Sequence, residues 1–179
     1  MNRNFREALG ATAVARPAID LLNSFNTLAQ AAGLGQSFDP FANEINFLIG
    51  AFVFEDVGVS AFRGAAPLIS NKDYLGDAVG ILAVEAYHAG IVRSLLYELG
   101  SDTRKAVNQI SKIRNTLSGN GSGVTDQGFE VEGRANFVPA DLNSSAFGRS
   151  ARQVLNIVYG GTNATKGLFF PNGLDGPIH

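Results

Sequence analysis

The chain has no cysteine and no tryptophan, one methionine and two histidines in 179 residues. Without cysteine there is no disulfide, no thiolate nucleophile and no zinc–thiolate site. One histidine, His179, ends the chain and reads as exposed, which leaves His88 alone; no serine nucleophile stands near it, so a hydrolytic triad has no support. Charge is sparse as well. Only 17% of residues are charged, the net charge is -2, and no block of Lys or Arg occurs. That balance argues against nucleic acid or an anionic membrane as the partner. Asp, Glu, Lys or Arg interrupts every apolar stretch before it reaches the length of a membrane span. The opening stretch MNRNFREALGATAVARPAID has no apolar core of signal-peptide length, so the chain as written reads as cytoplasmic; a longer parent could carry an export signal, and the compartment stays open.

What is present is a globular composition, 45% hydrophobic, sufficient for one domain over 1–179 with a core of its own. The expected fold class is mainly α. Residues 4–9 read as the last turns of a helix stopped at Gly10. DLLNSFNTLAQAAG reads as a short helix ending near Gly33 or Gly35. Asp39-Pro40 has the form of an N-cap followed by a first-turn proline, and a long helix is expected over about 40–68. Ser70-Asn71 caps a second long helix over about 71–100, closed by Gly100. The short connection makes the two an antiparallel hairpin. A surface helix is expected at about 103–117, with Val107, Ile110 and Ile113 on one side and Lys105, Lys112 and Arg114 elsewhere. Residues 118–179 form a Gly-, Asn- and Ser-rich tail with one short helix in RSARQVLNIVY, held to the helices by Phe137, Phe147, Val154 and Phe170.

The chemistry lies in interruptions of the apolar stripes. On the second long helix Ala78, Ile81, Glu85, His88 and Val92 share a face at helical spacing. On the first, Leu48, Ala51, Glu55, Val59 and Phe62 do the same. In an antiparallel hairpin Glu55 meets the Glu85-x-x-His88 pair at one depth. A buried carboxylate without a partner costs several kcal/mol, so these groups need each other or a cation. A Glu from one helix and a Glu-x-x-His from its neighbour are half the ligand set of a dinuclear iron or manganese bundle, in which carboxylates bridge the metals and imidazole caps one. A self-satisfied Glu–His pair is the plain alternative. Asp56 lies about 100° round the helix from Glu55 and reads as a surface or capping group. Glu44 sits near a helix start, where a carboxylate suits the macrodipole. GNGSG at 119–123 neither follows a strand nor opens a helix, so it is no phosphate cradle. Asn120, Asn143 and Asn163 begin N-glycosylation sequons of the kind an Asn/Ser-rich tail produces by chance.

FEDVGVSAFRGAAPLI and GILAVEAYHAGIVR, followed by VPADLNSSAFGRSARQVLNIVY and FFPNGL, resemble the ferritin-like, desiccation-related protein family over nearly the whole chain. The resemblance implies a ferritin-like four-helix bundle in which Glu55 is the third-helix glutamate and Glu85 and His88 are the fourth-helix Glu-x-x-His. It also implies two earlier helices bearing a glutamate and a second Glu-x-x-His. Here NFREALG aligns with the end of the second of these, and Met1 with its histidine, so half the bundle is expected to be missing. The uncovered apolar face then implies an interface. A homodimer would rebuild four helices and bring together two copies of Glu55, Glu85 and His88. Three functions are compatible with this: an iron- or manganese-binding protein with oxidase or peroxide-consuming activity, a metal-free structural or desiccation-protective bundle, and a half-bundle completed by another chain.

Overall fold

A computed structural model of the chain describes residues 6–7, 9–119 and 126–175. Met1, Asn120 and His179 lie outside the described residues, as does GNGSG beyond Gly119. The architecture is mainly helical. Arg6, Glu7 and Leu9 are helical and a short 3-10 turn follows at Gly10–Thr12. Helix α1 spans Leu22–Ala31. Asp20 opens it by accepting hydrogen bonds from the backbone N–H and side-chain amide of Asn23, and Gly33, at φ 71°, turns the chain out of it.

Helix α2 spans Glu44–Ala65 and runs on through a 3-10 turn at Ala66–Leu68. Its start lies four residues later than Asp39-Pro40 suggests. The Asp39 carboxylate instead accepts from the backbone N–H of Phe41, while Asn43 is the cap, accepting from the N–H of Asn46. The Asp-Pro pair therefore makes a turn before the helix, and Glu44 is the first helical residue, at the positive end of the dipole. Helix α3 spans Lys72–Glu98, with the Asn71 side chain accepting from the N–H groups of Asp73 and Tyr74. Partner numbers run in opposite senses along α2 and α3: Glu55 meets His88 and Gly58 meets Glu85. The pair is thus an antiparallel hairpin.

Gly100, at φ 99°, breaks the chain into α4, Ser101–Leu117. This helix corrects the expectation of a simple surface helix. Val107, Ile110 and Arg114 are all essentially without solvent exposure. They stand at i, i+3 and i+7, one stripe, so Arg114 belongs to the inward face. In the tail, β1 (Glu130–Val131) and β2 (Arg134–Ala135) form a small antiparallel hairpin. Its turn residues, Glu132 and Gly133, both have positive φ. Helix α5, Ala151–Tyr159, is opened by a reciprocal capping box between Ser150 and Gln153 and closed by Gly160 in the left-handed region.

The core joins α1, α2, α3 and α4 through Phe25, Phe52, Leu96, Val107 and Ile110. The tail completes it. Phe169 inserts between Phe25 and Phe54, at ring-centroid distances of 5.0 and 4.7 Å, and Phe129 packs edge-on against Phe52. Phe137 meets Tyr97 and Phe170 packs on the core. The deepest anchors are therefore Phe129 and Phe169, of which Phe169 adjoins the expected Phe170 in sequence.

One side of the hairpin carries no cover among the described residues. Val84, Ile91 and Leu95 on α3, Leu99 just past its end and Phe47 on α2 are exposed. By length and mean hydropathy (1.6 and 1.4), Glu44–Leu68 and Lys72–Glu98 are apolar enough to cross a membrane, contrary to the reading that interrupting charges forbid it; the charges are too few to do so. The middle of α3 is nevertheless bonded to loop backbone, through Arg93, at Gln127, Gly128 and Asn136. Irregular backbone at that depth is not tolerated in contact with lipid.

Candidate metal centre and the buried ion network

Glu55 projects from the middle of α2 toward α3, where Glu85 and His88 stand one turn apart. His88 Nδ1 lies 3.4 Å from Glu55 Oε2. That distance and its geometry give an electrostatic contact rather than a hydrogen bond, and the buried Glu55 Oε2 has no hydrogen-bond partner. Burial first, then the Glu85 charge, pushes the Glu55 carboxyl above the usual glutamate range, with His88 pulling it partly back. Gly58, one turn after Glu55, makes the approach of Glu85 feasible: a Cβ there would overlap the Glu85 carboxylate. The His88 side chain is 54% exposed. It stands on the uncovered face, on one strip with Val84, Ile91 and Leu95 at helical spacing.

The hairpin therefore brings Glu55, Glu85 and His88 together. Among the described residues no group of three or more His, Asp or Glu side chains is arranged to hold a metal ion. The donor types, two carboxylates and an imidazole with an orphaned carboxylate oxygen between them, fit one half of a carboxylate-bridged pair.

Directly behind this cluster is a second one that sequence reasoning missed. Asp56 is not a surface group. Its carboxylate takes two hydrogen bonds from Arg93, at 3.0 and 2.8 Å, and one from Arg114 at 2.7 Å. Arg114 also binds Asp126 at 2.8 Å, and Asp126 binds Arg149 at 2.8 Å. Burial alone would raise the Asp56 pKa, but Arg114 and Arg93 outweigh it and hold the carboxyl low. The same competition holds Arg114 up: burial opposes its charge, and Asp126 with Asp56 overcomes it. The available signal was spacing. Arg114 falls on the stripe of Val107 and Ile110, and Arg93 on that of Ala89 and Leu96, so both cations had to find partners inside.

The network clamps the tail onto the hairpin. Arg149 donates to Ser118, Ser60 and Asp126, and its own N–H bonds the Ser60 carbonyl. Gly64 permits this crossing, because a Cβ there would occupy the place of the Arg149 backbone.

A family model for the ferritin-like domain matches residues 3–98. The desiccation-related protein PCC13-62 of Craterostigma plantagineum is 35% identical over 160 residues, covering 78% of this chain and 50% of that protein. The ferritin-like catalase Nec2 of Nesocodon mauritianus is 26% identical over 184 residues, covering 91% of this chain and 58% of that protein. The chain thus spans about half the length of these curated relatives. No solved structure matches.

Proposed function

The chain belongs to the ferritin-like, desiccation-related family, and on that premise we propose that it is a stress-associated protein carrying half of a dinuclear iron or manganese centre, Glu55, Glu85 and His88, completed by a second copy. The observation that carries this reading is the meeting of the three side chains, with the orphaned Glu55 Oε2 among them, beside an apolar face that has no cover among the described residues. Two such hairpins related by a two-fold axis would pool four carboxylates and two imidazoles. The iron or manganese pair would supply redox chemistry toward oxygen or peroxide; the relative named a catalase supports peroxide. Glu55, Glu85 and His88 would hold the metal, and Val84, Ile91 and Leu95 would keep water from the centre once covered.

The test is anaerobic loading with ferrous iron, comparing the parent with Glu85→Ala and His88→Ala. Both variants should lose bound iron while keeping their far-ultraviolet helical signal. Iron retention equal to the parent's would refute the assignment. A second reading, a metal-free protective bundle, is favoured by one observation: His88 Nδ1 already stands 3.4 Å from Glu55 Oε2, an electrostatic pairing that needs no metal. In that case the parent itself takes up no iron, and the three residues act by fixing helix register.

A further inference from the structure

The arginines around Asp56 do not use all of its carboxylate. Oδ1 accepts one hydrogen bond, from Arg93 Nε, and Oδ2 accepts two, from Arg93 and Arg114. An ionised carboxylate has about four acceptor positions, so one on Oδ1 has no donor among the described residues. The two guanidiniums also hold this carboxyl ionised, which makes it an acceptor only.

The open position has a space beside it. Asp56 lines a cavity of about 80 Å³ between α2, α3 and the 137–147 segment, with apolar walls that include Val59, Ala86, Ala89, Phe137 and Phe147. At its polar end the side chains of Arg93, Arg149 and Asp126 are 0%, 1% and 2% exposed, whereas that of Asp56 keeps 9%. The uncharged polar groups there are occupied. The Ser60 hydroxyl bonds two carbonyls of its own helix and accepts from Arg149, and the Gln127 amide is bonded to Ala140 and Asn136. A ligand therefore meets one anionic acceptor in an apolar wall. None of Glu55, Glu85 or His88 lines the cavity, so the site stands apart from the proposed metal centre.

Charge and size narrow the ligand. The network already sets three guanidiniums, Arg93, Arg114 and Arg149, against Asp56 and Asp126, so a further cation is disfavoured. The Asp56 carboxylate repels an anion. A neutral amide would bring a carbonyl for which the cavity has no free donor. The space is about half that of an engineered apolar cavity that binds benzene, enough for roughly three to five heavy atoms. We propose that this cavity is a binding site for a short-chain alcohol, its hydroxyl donating to Asp56 Oδ1 and its alkyl body lying against Ala89 and the Phe137 and Phe147 rings.

The test is a titration of the full chain with 2-propanol, followed by amide chemical shifts. Acetone serves as the counterpart of equal size without a donor, and isopropylammonium as the charged one. 2-Propanol should shift Ala86, Ala89 and Phe147 saturably, with a dissociation constant on the order of 10 mM, within reach of about four heavy atoms. Acetone should bind roughly ten-fold more weakly, the scale of a hydrogen bond to a charged acceptor. Isopropylammonium should bind more weakly as well, since it adds a cation to the network. Because Asp56 variants disturb the fold, the mouth is varied instead. Ala86 is exposed where it lines the cavity, so Ala86→Phe covers the space without entering the core. It should abolish the saturable shifts and leave the urea midpoint unchanged, whereas Ala86→Ser should keep the parent's affinity. Shifts that do not saturate, that fall elsewhere, that survive Ala86→Phe, or that acetone or isopropylammonium reproduces at equal concentration would overturn the proposal.

Discussion

Glu55 and Asp56 are adjacent carboxylates with opposite electrostatic fates. A helical step of about 100° points Glu55 toward Glu85 and His88 on α3, where burial and Glu85 raise its pKa, and turns Asp56 inward, where two arginines lower it. Their contributions to stability follow with opposite sign. For Asp56 the folded pKa lies below the ordinary 3.8, so the stability it brings is present above that value and is lost as pH falls through the folded pKa. For Glu55 the folded pKa lies above the ordinary 4.5. Folding then binds a proton, and stability declines as pH rises from 4.5 toward the folded value. Glu55→Gln should remove that decline, read as a flatter profile of urea midpoint against pH; an unchanged slope would exclude Glu55 as its source. Asp56→Ala should cost about 3–5 kcal/mol in urea unfolding, because it strands two buried guanidiniums. A loss below 1 kcal/mol would mean that water reaches them. At this scale the pair Glu55 and Glu85-x-x-His88 was legible because polar residues break an apolar stripe. The arginine partners were not, since Arg149 and Asp126 reach the helices from a tail whose course no periodicity encodes.

At the scale of elements, two glycines in α2 decide what may touch it. Gly58 receives the Glu85 carboxylate and Gly64 receives the backbone at Arg149. Gly64→Ala sets a methyl group against main chain that the ion network holds in place, and should cost about 1–3 kcal/mol. Gly58→Ala meets the movable end of a side chain instead, and the gain in helix propensity, about 1 kcal/mol, offsets the contact. It should leave stability nearly unchanged yet displace Glu85, lowering iron uptake; uptake equal to the parent's would mean that Glu85 is no ligand. Helix ends were readable where a side chain both caps and is followed by the periodic stripe, as at Asn71. Asp39-Pro40 misled because the same carboxylate that can cap a helix can also close a turn. The hairpin at 130–135 was hidden for a related reason: two-residue strands are too short to show alternation.

For the whole molecule, the question is what covers the strip formed by Val84, Ile91, Leu95 and Leu99 around the exposed His88. A contiguous apolar patch is the usual mark of an interface, and here it surrounds the residues proposed above as half of a metal centre. The family and its helical hairpin were legible from distinctive segments spread along the chain. Assembly was not, because the same uncovered face serves a second copy or another chain equally well. The two readings differ in mass. Native mass spectrometry after anaerobic incubation with ferrous iron tests the central claim most directly. The account predicts a dimer holding about two iron ions. A monomer without iron, or a dimer that holds none, would contradict it.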